Sequence, residues 1–266
     1  MCFKETKKIN VVVVSFLNTL PFIHGIKTSP IFNKINLDTG SPAYCTKKFL
    51  TNKADIALAP VGGLSQLKDF NIITPFCIAS KKNAKSVLLL SNTDKTEIKK
   101  IFTDAQSQTS NELIRIIAEN FWKHNIKFEK PTKYPPGIIN GEGFIAIGDK
   151  AFSLHQKYLY SYDLATEWYN FTGLPFVFAV WIAKPHINKS IISEFSNSLA
   201  KGVKEKLSSI KNFNLNPKGW QSEYIKKNIH YHLDRECLSG FQEFCKYTEN
   251  LDYNNFNFTI KSGLIY

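Results

Sequence analysis

Short apolar runs, rich in β-branched residues, alternate along the chain with stretches where apolar positions recur every three or four residues. Residues 10–15, 54–60, 86–91, 143–148 and 176–182 have the length and bounds of buried strands. After the first of these the spacing predicts a helix starting near Leu20, with Pro21 accommodated in its first turn. A short strand over 35–37 and a helix over 43–52 precede the second run. Beyond the polar stretch 92–100, a strand at 101–104 hands over to a helix over 110–123, where Leu113, Ile116, Ile117 and Phe121 share one stripe. Thr109 followed by Glu112 fits a capping box and places the helix start there. From about residue 185 the pattern is helical over 191–207, 219–229 and 234–250, whereas the aromatic, polar tail 252–266 has no period and predicts no element. Strands alternating with helices imply an α/β architecture with largely parallel sheets.

The 266 residues leave room for one large or two modest domains, and 43% hydrophobic content suffices for a real core. The formal charge of +12 raises the question of nucleic acid. All but two of the 34 basic side chains are lysine, the exceptions being Arg115 and Arg235, and they are scattered among many Asn rather than gathered in a stripe. Lysine lacks the planar fork that reads phosphate and guanine, so no nucleic-acid partner is expected. The positive field still draws small anions to a cleft.

Cys2, Cys45, Cys77, Cys237 and Cys245 are odd in number and without two-residue spacing, which argues against a disulfide framework and points to a reducing, cytoplasmic location. The basic start and the apolar run over 9–22 are interrupted by Asn18, Thr19 and Pro21 and lack a small-residue cleavage site, so no cleavable leader is expected. No run is long enough to span a membrane, and no membrane partner is expected.

Ordinary catalytic signatures are missing from the sequence. His230 and His232 stand two apart, a spacing that needs a strand or loop before both could face one metal, and no metal site is expected. There is no HExxH or GxSxG, and Gly141-Glu142-Gly143 precedes a strand where a dinucleotide fingerprint must follow one. Hydroxyls and amides at strand-to-helix turns remain as candidates. Ser107, Thr109 and Ser110 sit at a helix N-terminus that either caps itself or holds a carboxylate. Asn18 and Thr19 occupy the matching turn in the first half of the chain, again as caps or as ligand contacts. Asp149 ends the 143–148 run and is either a rim residue or a cap for the segment after it.

The string Ser15-Phe16-Leu17-Asn18-Thr19-Leu20-Pro21-Phe22 resembles the opening motif of the menaquinone-biosynthesis family of chorismate dehydratases, with Phe16 where Tyr is usual. Matching segments follow in order at 55–61, 77–80, 86–91, 104–110, 147–149 and 172–181, so that the resemblance spans about nine-tenths of the chain. The Leu-Asn-Thr-Leu-Pro and Thr-Gly-Leu-Pro-Phe-Val-Phe-Ala-Val-Trp strings are the specific ones, and Ile-Gly-Asp alone is weak. A sister family that makes dihydroxynaphthoate opens on a Ser-Pro-Cys-Pro-Asn type motif, which is absent here. Departures from the pattern are Thr51-Asn52-Lys53 where a Gly is common, Ala165 for a usual Gly, and Lys85 where Arg is frequent.

The resemblance implies a two-lobed α/β fold like type II periplasmic binding proteins, with a central ligand cleft and two hinge strands, 86–91 and 176–182. Lobe 1 would then comprise 1–91 and 183–266, and lobe 2 residues 92–182. It implies chorismate as a small-molecule substrate and no cofactor. Asn18 and Ser86 would be catalytic, and Thr19, Pro60, Val61, Ser107, Thr109, Ser110 and Asp149 would bind substrate. A solute-binding protein for small anions on the same fold is the alternative, because fold alone does not set function.

Overall fold

A computed structural model describes residues 8–248 and 251–258. Its elements run β1 (Ile9–Val14), α1 (Leu20–Lys27), β2 (Ile35–Gly40), α2 (Pro42–Leu50), β3 (Ile56–Pro60) and β4 (Asn71–Ser80). Next come β5 (Val87–Ser91), β6 (Lys100–Phe102), α3 (Gln108–Ile116), β7 (Lys127–Glu129), β8 (Glu142–Ile147), α4 (Asp149–Leu154), β9 (Tyr160–Asp163) and α5 (Leu164–Thr172). The chain closes with β10 (Phe176–Ala183), α6 (Lys189–Lys204), α7 (Lys206–Asn212), α8 (Trp220–Lys227), β11 (His230–His232), α9 (Arg235–Tyr247) and β12 (Asn257–Phe258). Cys2 and the basic start over 1–7 lie outside the described residues, as do 249–250 at the end of the expected last helix and 259–266 of the tail.

The strands form two sheets. The larger has the order β11-β4-β10-β3-β1-β2 with β12 beside β4, and the smaller has the order β7-β6-β8-β5-β9. β1 shows why its sequence reads as continuous valine: Val11 and Val13 enter the core beneath α1 and α6, while Val12 and Val14 enter the core that continues to Leu89, Ile101 and Ile145 of the smaller sheet. A strand buried on both faces has no place for alternating polar residues.

The sheets are mixed rather than largely parallel. β10 runs antiparallel to β3 and β4, and β5 runs antiparallel to β8 and β9. Nor do the two strands expected to cross between lobes cross: β5 pairs only within the smaller sheet and β10 only within the larger. The chain passes between sheets at 81–86 and through α5 and the residues up to 175. Asp163 binds the two passages together, accepting from Ala84 N (3.3 Å) and Lys85 N (2.6 Å) in the first and from Ala165 N (3.0 Å) and Thr166 N (3.1 Å) in the second.

The longest strand, β4, escapes the pattern because Pro75 lies inside it, and proline normally argues against a central strand. A bulge absorbs it: Ile72 pairs with Ile182 and Cys77 with Val180, so the ladder skips the proline. The helix expected over 110–123 starts earlier and changes character, with α3 over Gln108–Ile116 running on into a π turn over Ile117–Trp122. Among the described residues no helix is long and apolar enough to cross a membrane.

Candidate functional site

A narrow cavity of about 60 Å³ lies between the two sheets. The turn after β1 contributes Phe16, Asn18 and Thr19, the end of β3 contributes Leu58 and Pro60, and the first passage contributes Ser86. The start of α3 supplies Ser107, Thr109 and Ser110, and the β8–α4 turn supplies Ile147 and Gly148. Seven of the nine site residues expected from sequence therefore meet at one cavity. Val61 and Asp149 do not line it. The Val61 side chain is packed into the core, and the Asp149 carboxylate accepts from Leu17 N at 3.3 Å, joining the β8–α4 turn to the β1–α1 turn. Burial holds the Asp149 carboxyl above its ordinary value of 3.8, partly offset by that hydrogen bond.

The α3 cap falls on Ser107 rather than Thr109: Ser107 Oγ accepts from Ser110 N at 3.3 Å and lies 2.8 Å from Ser110 Oγ. Thr109 is spent differently, its hydroxyl accepting from Gly62 N at 3.0 Å across the gap between sheets. Gly62 is required there, because a Cβ would sit 2.7 Å from Thr109 Cα. Two more links cross the same gap, Ala43 N to Gln106 O at 3.1 Å and Gln66 Nε2 to Gln108 Oε1 at 2.6 Å. Gly148 closes the other side: its φ is +59°, and the Phe16 ring packs where a Cβ would be, 2.7 Å away.

In the β1–α1 turn the Thr19 hydroxyl lies 2.6 Å from the Val14 carbonyl and 2.8 Å from that of Phe16, so its proton is committed to the backbone. This fixes the turn that presents Asn18. The Asn18 carbonyl accepts from the Tyr231 hydroxyl at 3.0 Å, and its side chain lines the cavity near the Tyr224 hydroxyl. Tyr224 in turn donates to Ser86 Oγ at 2.8 Å. Burial keeps the Tyr224 hydroxyl well above the ordinary phenol range, hence protonated and able to donate. A hydroxyl that accepts one hydrogen bond still has its own proton to give, so this chain of groups leaves the Ser86 proton available to the cavity.

No Lys, Arg, Asp or Glu side chain lines the cavity among the described residues. The α3 N-terminus, whose first N–H groups have no intrahelical acceptor, turns the positive end of the helix dipole to it. The arrangement suits an anion held by neutral donors. Tyr224 and Tyr231 were not legible as site residues: each sits in a C-terminal segment without motif, brought beside Asn18 only by the packing of α8 and β11 on the first turn.

The family profile for menaquinone biosynthesis matches residues 9–250. A chorismate dehydratase of Campylobacter jejuni is 27% identical over 195 residues, covering 71% of this chain and 74% of that protein. Among solved structures, a protein of Archaeoglobus fulgidus superposes with a TM-score of 0.69 at 11% identity, covering 92% of this chain and 98% of that one. A Candida albicans gene product with the generic periplasmic binding protein fold gives 0.67 at 8% identity, over 91% and 90% of the two chains. The alkanesulfonate-binding protein of Xanthomonas axonopodis gives 0.60 at 12% identity, over 91% and 92%. At these identities the structural likeness concerns the fold, which is that of the two-lobed binding proteins.

Proposed function

The chain belongs to the menaquinone-biosynthesis family, and from that premise we propose that it is a chorismate dehydratase, a hydro-lyase that eliminates water from chorismate to give 3-[(1-carboxyvinyl)oxy]benzoate. The observation that carries the reading is the convergence of Asn18, Ser86 and Thr109 on one cavity, with the Ser86 hydroxyl held by Tyr224. We place the reaction in the cytoplasm and without a cofactor.

In this reaction the ring carbon bearing the enolpyruvyl ether loses its proton, the neighbouring carbon loses hydroxide, and the ring becomes aromatic. Aromatisation drives the step, so the protein's task is to orient a dianion and support the departing oxygen. The N–H groups and hydroxyls at the start of α3 bind one carboxylate, and Asn18 and Ser86 hydrogen-bond the reacting groups. Tyr224 is a positioning residue: by donating to Ser86 Oγ it aims the serine proton at the leaving hydroxyl. Among the described residues no carboxylate or imidazole lines the cavity as a base, and the substrate's own side-chain carboxylate takes the ring proton. Preformed donors and proximity then supply the rate enhancement.

To admit a ring diacid between the sheets the lobes, which we divide at the two inter-sheet passages, swing apart. That motion breaks the Gly62–Thr109, Gln66–Gln108, Ala43–Gln106 and Leu17–Asp149 links, and closure remakes them around the ligand.

Purified protein incubated with chorismate is expected to yield a product lighter by one water, read by mass spectrometry, together with the absorbance of a benzoate. Binding of chorismate without turnover would overturn the reading in favour of a solute-binding protein. An analogue lacking the side-chain carboxylate is expected to bind and not react. Rapid elimination from that analogue would transfer the base role to the protein.

A further inference from the structure

Three elements converge at the β11 end of the larger sheet, on the face opposite Tyr231. β4 brings Cys77, β11 brings His230, and the start of α9 brings Asp234 and Cys237. His230 Nε2 lies 2.8 Å from Asp234 Oδ2, and the imidazole, carboxylate and Cys237 sulfur ligand atoms all lie within 4.8 Å of one another. Cys77 lies beside Cys237 in the same buried cluster, outside that group of three. The two cysteines are fully buried, whereas the His230 and Asp234 side chains are 25% and 19% exposed, which leaves one approach from solvent. Among the described residues His230, Asp234 and Cys237 form the one cluster of three or more such groups.

We propose that His230, Asp234 and Cys237 bind a zinc ion, with Cys77 drawn in from beside Cys237 as the fourth ligand. Two thiolates, an imidazole and a carboxylate form the mixed donor set that zinc takes in tetrahedral sites, with bonds of about 2.0–2.3 Å. Such bonds hold ligand atoms roughly 3.3–3.8 Å apart, so the His230–Asp234 pair opens by somewhat under an ångström and the wider contacts draw in. Asp234 is already oriented, because its other oxygen accepts from Cys237 N at 2.9 Å as the cap of α9. Binding releases one proton from each thiol, and the zinc with its three anionic ligands carries one net negative charge. Lys81, 3.4 Å from Asp234 and 2.9 Å from Glu236, stands ready to balance it. His232, on the same strand with its ring 6.0 Å from that of His230, packs against Phe76 and stays outside the set. The ion would tie α9 to the sheet edge whose Tyr231 holds the Asn18 carbonyl.

The site is independent of the dehydratase reading, and its test uses no substrate. The full chain, reduced and stripped with chelator, is titrated with cobalt(II) alone and followed by absorbance. Thiolate-to-cobalt bands in the near ultraviolet and tetrahedral bands in the visible are expected at one equivalent, both bleached by one equivalent of zinc. Cys237→Ser is expected to abolish the near-ultraviolet band, Cys77→Ser to reduce it to about half, and His230→Gln to weaken binding at least tenfold, with folding checked by circular dichroism. Should Cys237→Ser fail to fold, His230→Gln decides. A weak octahedral spectrum in the parent chain, or bands unchanged in the His230→Gln protein, overturns the site.

Discussion

Tyr224→Phe isolates the least obvious part of the proposed mechanism. The ring stays and only the hydroxyl leaves, from a residue 2% exposed whose partner Ser86 is 4% exposed. Packing of Tyr224 against Phe152, at a ring separation of 4.9 Å, is preserved. The variant loses the 2.8 Å hydrogen bond that turns the Ser86 proton toward the cavity. A hydrogen bond of this kind contributes about 0.5–1.5 kcal/mol net, and a buried partner left unpaired costs about 1–3 kcal/mol. Taking about 1–2 kcal/mol as the share felt in the transition state, kcat/KM falls about 5- to 30-fold, mostly through kcat. The assay is the growth of benzoate absorbance under steady-state conditions, run for Tyr224→Phe, Ser86→Ala and the double variant. Because Tyr224 acts through Ser86, the double variant should be no slower than Ser86→Ala alone, the signature of coupled residues in a cycle. A wild-type kcat/KM in Tyr224→Phe, or losses that simply add, would refute the positioning role.

Asn18→Asp places an anion in the cavity beside Ser86 and beside an anionic substrate. Turnover should collapse while circular dichroism and the denaturation midpoint hold, and unchanged kinetics would remove Asn18 from the mechanism. Gly62→Ala drives a methyl group into Thr109 Cα at 2.7 Å and wedges the lobes apart. KM should rise several-fold with the fold intact, and an unaltered KM would show that closure does not use this contact. Burial raises the Asp149 carboxyl above 3.8, so the folded chain binds that proton more tightly than the unfolded chain does. Its contribution to stability is therefore fully present below 3.8 and is lost as pH rises through the folded value. Asp149→Asn should flatten that part of the stability profile in chemical denaturation, and an unchanged slope would contradict the assignment.

Much of the fold is legible because strands buried on both faces declare themselves: Val11–Val14 and Leu88–Leu90 have no polar alternative. β4 is hidden by Pro75, since nothing local announces the bulge that carries it past β10. Strand direction is equally hidden, because Phe176–Ala183 reads the same whether its neighbours run with or against it. The turns are easier to read than their wiring. Thr109 sits at the α3 start as the capping pattern suggests, yet its hydroxyl is drawn off by Gly62 N, a partner 47 residues away, and Ser107 caps instead. Tyr224 and Tyr231 carry no motif, and only the return of the C-terminal helices to the first turn makes them neighbours of Asn18.

Asp163 has a mechanical consequence for any opening of the cleft. One carboxylate grips four amides belonging to both connecting segments, and Thr166 adds a bond to the Lys82 carbonyl at 3.0 Å. The connectors thus behave as a single ribbon rather than two loose straps, which permits bending about one axis and resists twist. A molecule built in this way aligns its donors afresh with every stroke, because the halves have only one track along which to return.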